Sequence, residues 1–143
     1  MMVKQISIFL ENKSGRLAAV TRVLGANNID ISALSIADTT DFGILRLIVN
    51  DPDKAANILE EHGFTVSSTE VIAISVPDKP GGLSIALDIL EKESIGIEYT
   101  YAFVGKKTDE ALVILRLDNP EKAVESLKEG NIKVLTSEDV HGL

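Results

Sequence analysis

Two stretches of this chain, Glu11-Asn12-Lys13-Ser14-Gly15-Arg16-Leu17 and Pro77-Asp78-Lys79-Pro80-Gly81-Gly82-Leu83, lie 66 positions apart and repeat one pattern. A polar residue, a Lys, a Ser or Pro and a Gly lead to Leu. The match extends outward on both sides. Ile6 and Ile8 fall on Ile72 and Ile74, and Leu24, Ile29 and Ile31 fall on Leu90, Ile95 and Ile97. Further on, Ile44-Leu45-Arg46-Leu47 matches Ile114-Leu115-Arg116-Leu117 at an offset of 70. Pro52, Lys54, Ala55, Leu59 and Val66 then match Pro120, Lys122, Ala123, Leu127 and Val134 at an offset of 68. The offset changes near Gly105–Asp109 and again before Pro120, in turn-like segments where insertions and deletions are cheapest. Collinear matches of this kind mark an internal duplication. The chain is two copies of one unit, residues 1–70 and 71–143.

Each copy has the same order of elements. Ile6, Ile8 and Leu10 alternate with polar residues, which predicts a half-buried strand. After the turn, Leu17, Val20 and Leu24 recur at helical spacing. Asn27-Asn28 stops that helix, and Ile29–Ile36 reads as a second strand. Asp38-Thr39-Thr40-Asp41 is a turn, and Phe42–Val49 a third strand rich in apolar and β-branched residues. Asp51-Pro52 opens a second helix, with Asp as cap and Pro in the first turn. Ala55, Ile58, Leu59 and His62 mark its inner side, Gly63 ends it, and Phe64–Ser68 is a short fourth strand. Copy 2 runs Val71–Val76, Pro80–Ser94, Ile97–Val104, Leu112–Leu117, Pro120–Glu129 and Ile132–Thr136. The order βαββαβ, twice, predicts an α+β protein of two ferredoxin-like units, each an antiparallel sheet with both helices on one face.

Composition narrows the function. Among 143 residues, 14 Lys and Arg face 22 Asp and Glu, a net charge of −8. Copy 1 has 6 basic and 9 acidic residues (net −3), and copy 2 has 8 and 13 (net −5), so no basic half is hidden in the average. Such a surface argues against nucleic acid and anionic membrane as partners. Phe42-Gly43 lacks the flanking basic and aromatic positions of an RNA-recognition strand. There is no cysteine, hence no disulfide, thiolate metal site or iron–sulfur cluster. That composition suits a reducing, cytoplasmic location. No apolar run approaches the ~18 residues of a membrane span. His62 and His141 have no second ligand at metal spacing, and no nucleophile sits in a recognisable elbow. The expectation is a protein that is not an enzyme and uses neither metal nor cofactor.

The two turns carry the chemistry. The first N–H groups of a helix have no intrahelical partner, and the helix dipole favours an anion there. Glycine, lacking Cβ, admits a ligand close to the backbone. Asn12 or Asp78 then accepts hydrogen bonds from an ammonium group, and a carboxylate beside an ammonium is the head group of a free amino acid. A purely structural role stands beside this one: Asn12 and Asp78 as turn-capping residues, Gly15 and Gly81 as turn formers. Lys13, Lys79 and Arg16 read as solvated side chains. Tyr99 and Tyr101 read as packing at an edge or interface, and Arg46 and Arg116 as lying on the sheet face away from the helices.

On these residues the chain resembles the ACT domains, a family of βαββαβ units with an Asp/Asn-x-x-Gly-x-Leu turn after the first strand. Asn12-Lys13-Ser14-Gly15-Arg16-Leu17 and Asp78-Lys79-Pro80-Gly81-Gly82-Leu83 both match that turn. Gly25-Ala26-Asn27-Asn28-Ile29-Asp30-Ile31 is similar to the family's junction between first helix and second strand. The resemblance implies binding of a free amino acid at an interface between paired units and regulation of amino-acid metabolism. It places the ligand between the first turn of one unit and Asn28, Ile29, Asp30 and Ile31 of its neighbour. Copy 2 lacks the Asn pair there, since it reads Ser94-Ile95-Gly96-Ile97-Glu98. A homodimer is implied by the resemblance and by the small size of each unit, and the regulated partner is a metabolic enzyme. The alternative is a protein-interaction subunit of such an enzyme with no ligand of its own.

Overall fold

The computed structural model of the protein describes residues 2–11, 13–38, 41–104 and 109–141. Residues 39–40 of the first predicted turn, and 105–108 of the insertion in copy 2, lie outside the described residues. The elements run β1 (Val3–Glu11), α1 (Arg16–Ala26), β2 (Ile31–Asp38), β3 (Phe42–Val49), α2 (Pro52–Glu61) and β4 (Thr65–Pro77). They continue α3 (Gly82–Lys92), β5 (Ile97–Ala102), β6 (Glu110–Leu117), α4 (Pro120–Glu129), β7 (Lys133–Leu135) and α5 (Ser137–His141). The order is βαββαβ twice, with β4 ending the first copy and opening the second, and α5 added at the end. One compact unit comprises Lys4–Thr69 and the other begins at Glu70, with Val3 also belonging to it.

In the first unit β1 pairs antiparallel with β3, Ile8 opposite Leu45 and Phe9 opposite Ile44. β2 pairs antiparallel with the other edge of β3. Ile6, Ile8 and Leu10 of β1 and Leu45 and Leu47 of β3 face Val20 and Leu24 of α1 and Ala55 and Leu59 of α2, in one buried cluster. The second unit repeats this, with β4 between β6 and β7 and β5 on the far side of β6, all antiparallel. Ile72, Ile74 and Leu115 there meet Ala86 and Leu90 of α3 and Ala123 and Leu127 of α4. Apolar surface removed from water in this way drives each sheet under its two helices.

Local signals set the helix ends. The Asp51 carboxylate accepts from Lys54 N at 3.2 Å, and the Asn119 amide oxygen accepts from Lys122 N at 3.4 Å, each followed by Pro in the first turn. α1 to α4 all close alike. A left-handed residue (Asn28, Gly63, Ser94 or Asn131) follows the helix. The next residue donates back to the helix, as in Ile29 N to Leu24 O at 2.9 Å and Phe64 N to Leu59 O at 3.0 Å. That next residue is Ile29, Phe64, Ile95 or Ile132, buried in every case. This is the hydrophobic closure expected after a left-handed C-terminal residue.

Several boundaries differ from the sequence reading. The predicted strands 64–68 and 71–76 are one continuous strand, β4, because Ser68, Thr69 and Glu70 include no Gly, Pro, Asn or Asp to turn the chain and stay extended. α3 starts at Gly82 rather than Pro80, since Gly81 is left-handed (φ 84°) and a helix cannot run through it. It ends at Lys92, before left-handed Ser94. β5 stops at Ala102. β2 begins at Ile31, because Ile29 is spent on closing α1. His62 is exposed, its Nδ1 2.9 Å from Ile58 O, so it does not belong to the inner side of α2. α5 was not foreseen. Thr136 and Asp139 bond each other's backbone N–H at 3.1 and 2.9 Å, a reciprocal cap that starts the helix and buries Val140.

Two glycine substitutions should have opposite signs. A Cβ at Gly25, inside α1, meets nothing within 4 Å, so Gly25→Ala should stabilise by about 0.5–1 kcal/mol. A Cβ at Gly82 would lie 1.9 Å from Pro77 O, a backbone atom, so Gly82→Ala should destabilise by about 3 kcal/mol. Urea denaturation of the two variants reads both.

Candidate ligand-binding site

The turn at the foot of α1 is built by a left-handed glycine. Gly15 has φ 86°, a region that side chains with a Cβ rarely adopt. Lys13 N donates to Glu11 O at 2.7 Å, Arg16 N to Lys13 O at 3.4 Å and Ala19 N to Gly15 O at 2.9 Å. Asn12 lies outside the described residues. Lys13 pairs with Glu11 at 2.8 Å, with both side chains mostly in water, and Ser14 and Leu17 are exposed. The turn before α3 repeats the design with Gly81 at φ 84°. There Lys79 N donates to Pro77 O at 3.0 Å and Gly82 N to Lys79 O at 2.9 Å. Asp78 N is taken by Asp109 O at 2.9 Å. Asp78, Lys79, Pro80, Gly81 and Leu83 are exposed, and Gly82 is buried.

Arg16 is not the solvated side chain that the sequence reading expected. Its guanidinium carbon sits 4.7 Å from the centre of the Phe64 ring. A cation over an aromatic face gains about 0.5–1 kcal/mol at such a partly exposed site. Its Nε is buried and has no hydrogen-bond partner among the described residues. A buried N–H without an acceptor costs free energy.

Beside Arg16 lies a cavity of about 260 Å³ lined by Phe9, Leu10, Glu11, Arg16, Phe42, Gly63, Phe64 and Thr65. All of these belong to the first unit. Phe9 at the end of β1 and Phe42 at the start of β3 meet with ring centres 5.6 Å apart. Both stay substantially open to solvent, at 44% and 40%. Phe9, Glu11, Phe42 and Phe64 were missed from the sequence. A signal was present in the duplication: three of the four phenylalanines fall in copy 1 at positions where copy 2 has Ser75, Leu112 and Ile132, and Arg16 corresponds to Gly82.

The remaining candidates do not converge within a unit. Asn28, Ile29, Asp30 and Ile31 follow the C-terminal end of α1, whose 11 residues separate them from the turn at Gly15 by about 16 Å. Their roles there are structural. Asn28 is the left-handed closing residue, Ile29 is core, and Ile31 packs against the core. Asp30 N donates to Asn50 Oδ1 at 3.0 Å while Asn50 N donates to Asp30 O at 3.2 Å, tying β2 to the end of β3. Arg46 stands opposite Ser7, on the face away from Leu45 and Leu47. Arg116 pairs with Glu98 at 3.2 Å. Tyr99 and Tyr101 stack, half-buried, with centres 6.4 Å apart. Among the described residues no group of three His, Asp or Glu is placed to hold a metal. Among them, no helix is long and apolar enough to cross a membrane.

The Lys13 side chain, by hydrogen bond and charge, holds the Glu11 carboxyl below its ordinary value of 4.5, with a smaller contribution from Arg16. A depressed carboxylate stabilises the fold above its unfolded pKa and loses that contribution as pH falls through the folded one. Wild type should therefore exceed a Glu11→Gln variant in Tm at about pH 6, and the gap should close towards about pH 3. The group is exposed, so the gap should be small and should shrink with salt.

Comparison with known proteins supplies the family. A family model described as an ACT domain pair matches residues 1–143. The solved structure of protein BT0572 from Bacteroides thetaiotaomicron shares 48% identity, covering 100% of this chain and 98% of that one with a TM-score of 0.93. The regulatory subunit of aspartate kinase from Thermus thermophilus, at 14% identity, covers 89% of this chain and 91% of its own with a TM-score of 0.65. The corresponding subunit from Thermus flavus, at 13%, covers 90% and 92% with a TM-score of 0.61. At such identities the likeness to the two kinase subunits is one of fold. A comparison with curated proteins gave no match. Two βαββαβ units, each with a left-handed glycine turn leading into its first helix, extend over the length that the family model covers, and the chain belongs to the ACT domain family as a pair of ACT domains.

Proposed function

We propose that this ACT pair senses a free amino acid and regulates amino-acid metabolism, the two copies 1–70 and 71–143 acting as its domains. The observation that carries the reading is the Gly15 turn. Residues 13–16 are a non-acidic segment of an acidic chain, they open a helix N-terminus, and the Nε of Arg16 has no acceptor among the described residues. Relatives of the same fold are regulatory subunits of aspartate kinase. In this reading the ligand meets residues 12–17 of one unit and 28–31 of a neighbouring one, in a homodimer. A metabolic enzyme detects the change in packing, and this chain performs no catalysis itself. A ligand regulates only if it binds two arrangements unequally. A site shared between units satisfies that, because it exists in one arrangement and not in the other.

The magnitudes are compatible. A micromolar complex requires about −8 kcal/mol. For a ligand of about nine heavy atoms that is roughly −0.9 kcal/mol per atom, within the ~−1.5 ceiling for very small ligands. Such efficiency needs a nearly enclosed site, which closure between units provides.

A second reading, an interaction subunit without its own ligand, is favoured by β2. Leu34 and Ile36 on this edge strand are 40% and 46% exposed. An open strand edge with apolar side chains invites pairing with another chain.

A thermal-shift screen with the common amino acids separates the two. A ligand at 100 times its dissociation constant adds about 2.7 kcal/mol of stability, so one amino acid or a small related set should raise Tm by several degrees. No shift with any of them overturns the sensor, and a co-purifying enzyme that binds regardless of amino acid supports the interaction subunit. Sedimentation should give twice the 15.4 kDa chain mass, and a single-chain mass would overturn the homodimer.

A further inference from the structure

We propose that the cavity between β1, α1, β3 and the start of β4 in the first unit recognises the apolar class of free amino acids, aromatic or large aliphatic. The carboxylate lies on Arg16, the ammonium on Glu11 and the side chain against Phe9 and Phe42. This assignment rests on the sensor reading and deepens the same site: Arg16 of the turn at 12–17 lines this cavity, which supplies the first-unit wall and the ligand class.

Four observations meet at this place. Arg16 is held over Phe64, and its buried Nε lacks an acceptor among the described residues. Arg16 also lines the cavity, and a guanidinium and a ligand carboxylate match in shape and charge. Glu11 lines the same cavity. Its present partner, Lys13, is an exposed side chain, and exposed ion pairs are weak enough to be shared with an incoming ammonium. The two charges are thus of opposite sign and border one cavity, as a zwitterionic head group requires. Phe9 and Phe42 form the remaining wall, in contact with each other and open to solvent. Apolar surface of this kind gains by being covered, and it offers nothing to a polar or charged side chain. The volume, about 260 Å³, lies just under the range typical of drug-sized ligands and so suits a smaller molecule.

The second unit cannot form such a site. Gly82 stands in place of Arg16 and Ser75 in place of Phe9, and a side chain at Gly82 would strike Pro77 O. Among the described residues this cavity is confined to the first unit, and it saturates at one ligand per chain.

Isothermal titration of the full chain tests this. The probes are L-phenylalanine, L-leucine and L-isoleucine against L-serine, L-glutamate and L-lysine, with leucinamide and 4-methylpentanoate as analogues lacking the carboxylate and the ammonium. At least one apolar amino acid should bind with a stoichiometry of one, and its affinity should fall about tenfold or more on Arg16→Met or Phe9→Ser. Both analogues should bind correspondingly worse. They keep the assay decisive even if a variant misfolds, which circular dichroism reports. If no amino acid binds, the sensor reading fails and this assignment with it. If only a polar or charged amino acid binds, or an apolar one binds with unchanged affinity for Arg16→Met, the sensor stands and the cavity is not its site.

Discussion

Each unit depends on one backbone constraint, the left-handed turn at Gly15 and at Gly81 (φ 86° and 84°). A strand leaving the sheet must reverse and lay a helix across the face it has just built. With β1 ending at Glu11 and α1 starting at Arg16, four residues remain to do this. A positive φ at the last of them turns the chain without inserting a side chain between strand and helix. Val20 and Leu24 then land on Ile8 and Leu45, and Ala86 and Leu90 on Ile74 and Leu115. The rest of the packing follows from that placement.

From this shared turn the copies diverge. In copy 2 the chain is drawn tighter, Gly82 N standing 2.9 Å from Lys79 O where Arg16 N stands 3.4 Å from Lys13 O. No room is left for even a methyl group on Gly82. In copy 1 the looser turn carries a long cation, and Phe64 behind it gives the guanidinium a surface to lie on. One turn is thus drawn tight against the strand in one unit and borders a cavity in the other. Duplication followed by such divergence allows a second copy to keep the fold while the first acquires contacts of its own.

Much of the fold was legible because the signals are local. Alternation in Ile6-Ser7-Ile8 marked a strand, although Gln5 and Ser7 are buried with the isoleucines rather than left in water; caps at Asp51 and Asn119 and stops at Asn28 and Gly63 likewise act within a few residues. The misreadings have equally local causes. Ser68-Thr69-Glu70 is polar yet extended, so β4 is one strand where two were expected. Val140 looks like part of a polar tail until Thr136 and Asp139 cap a short helix that buries it. The candidate site was less legible. Lys13, Gly15 and Arg16 attract notice as a motif. Phe9 and Phe42 are 33 positions apart and Phe64 lies another 22 beyond, and nothing in a linear reading joins them.

The amino-acid sequence by itself determined that there are two copies of a βαββαβ unit, that both are acidic, and that a glycine turn precedes the first helix of each. These are properties of spacing and composition, and they survive without coordinates. The tertiary structure alone decided what stands next to what. Antiparallel pairing of β1 with β3 brought Phe9 and Phe42 into contact, and the closing turn of α2 set Phe64 beneath Arg16. Long-range pairing registers and ring contacts depend on how hydrophobic faces meet across the core, and that information is distributed over the whole unit rather than held in any one segment.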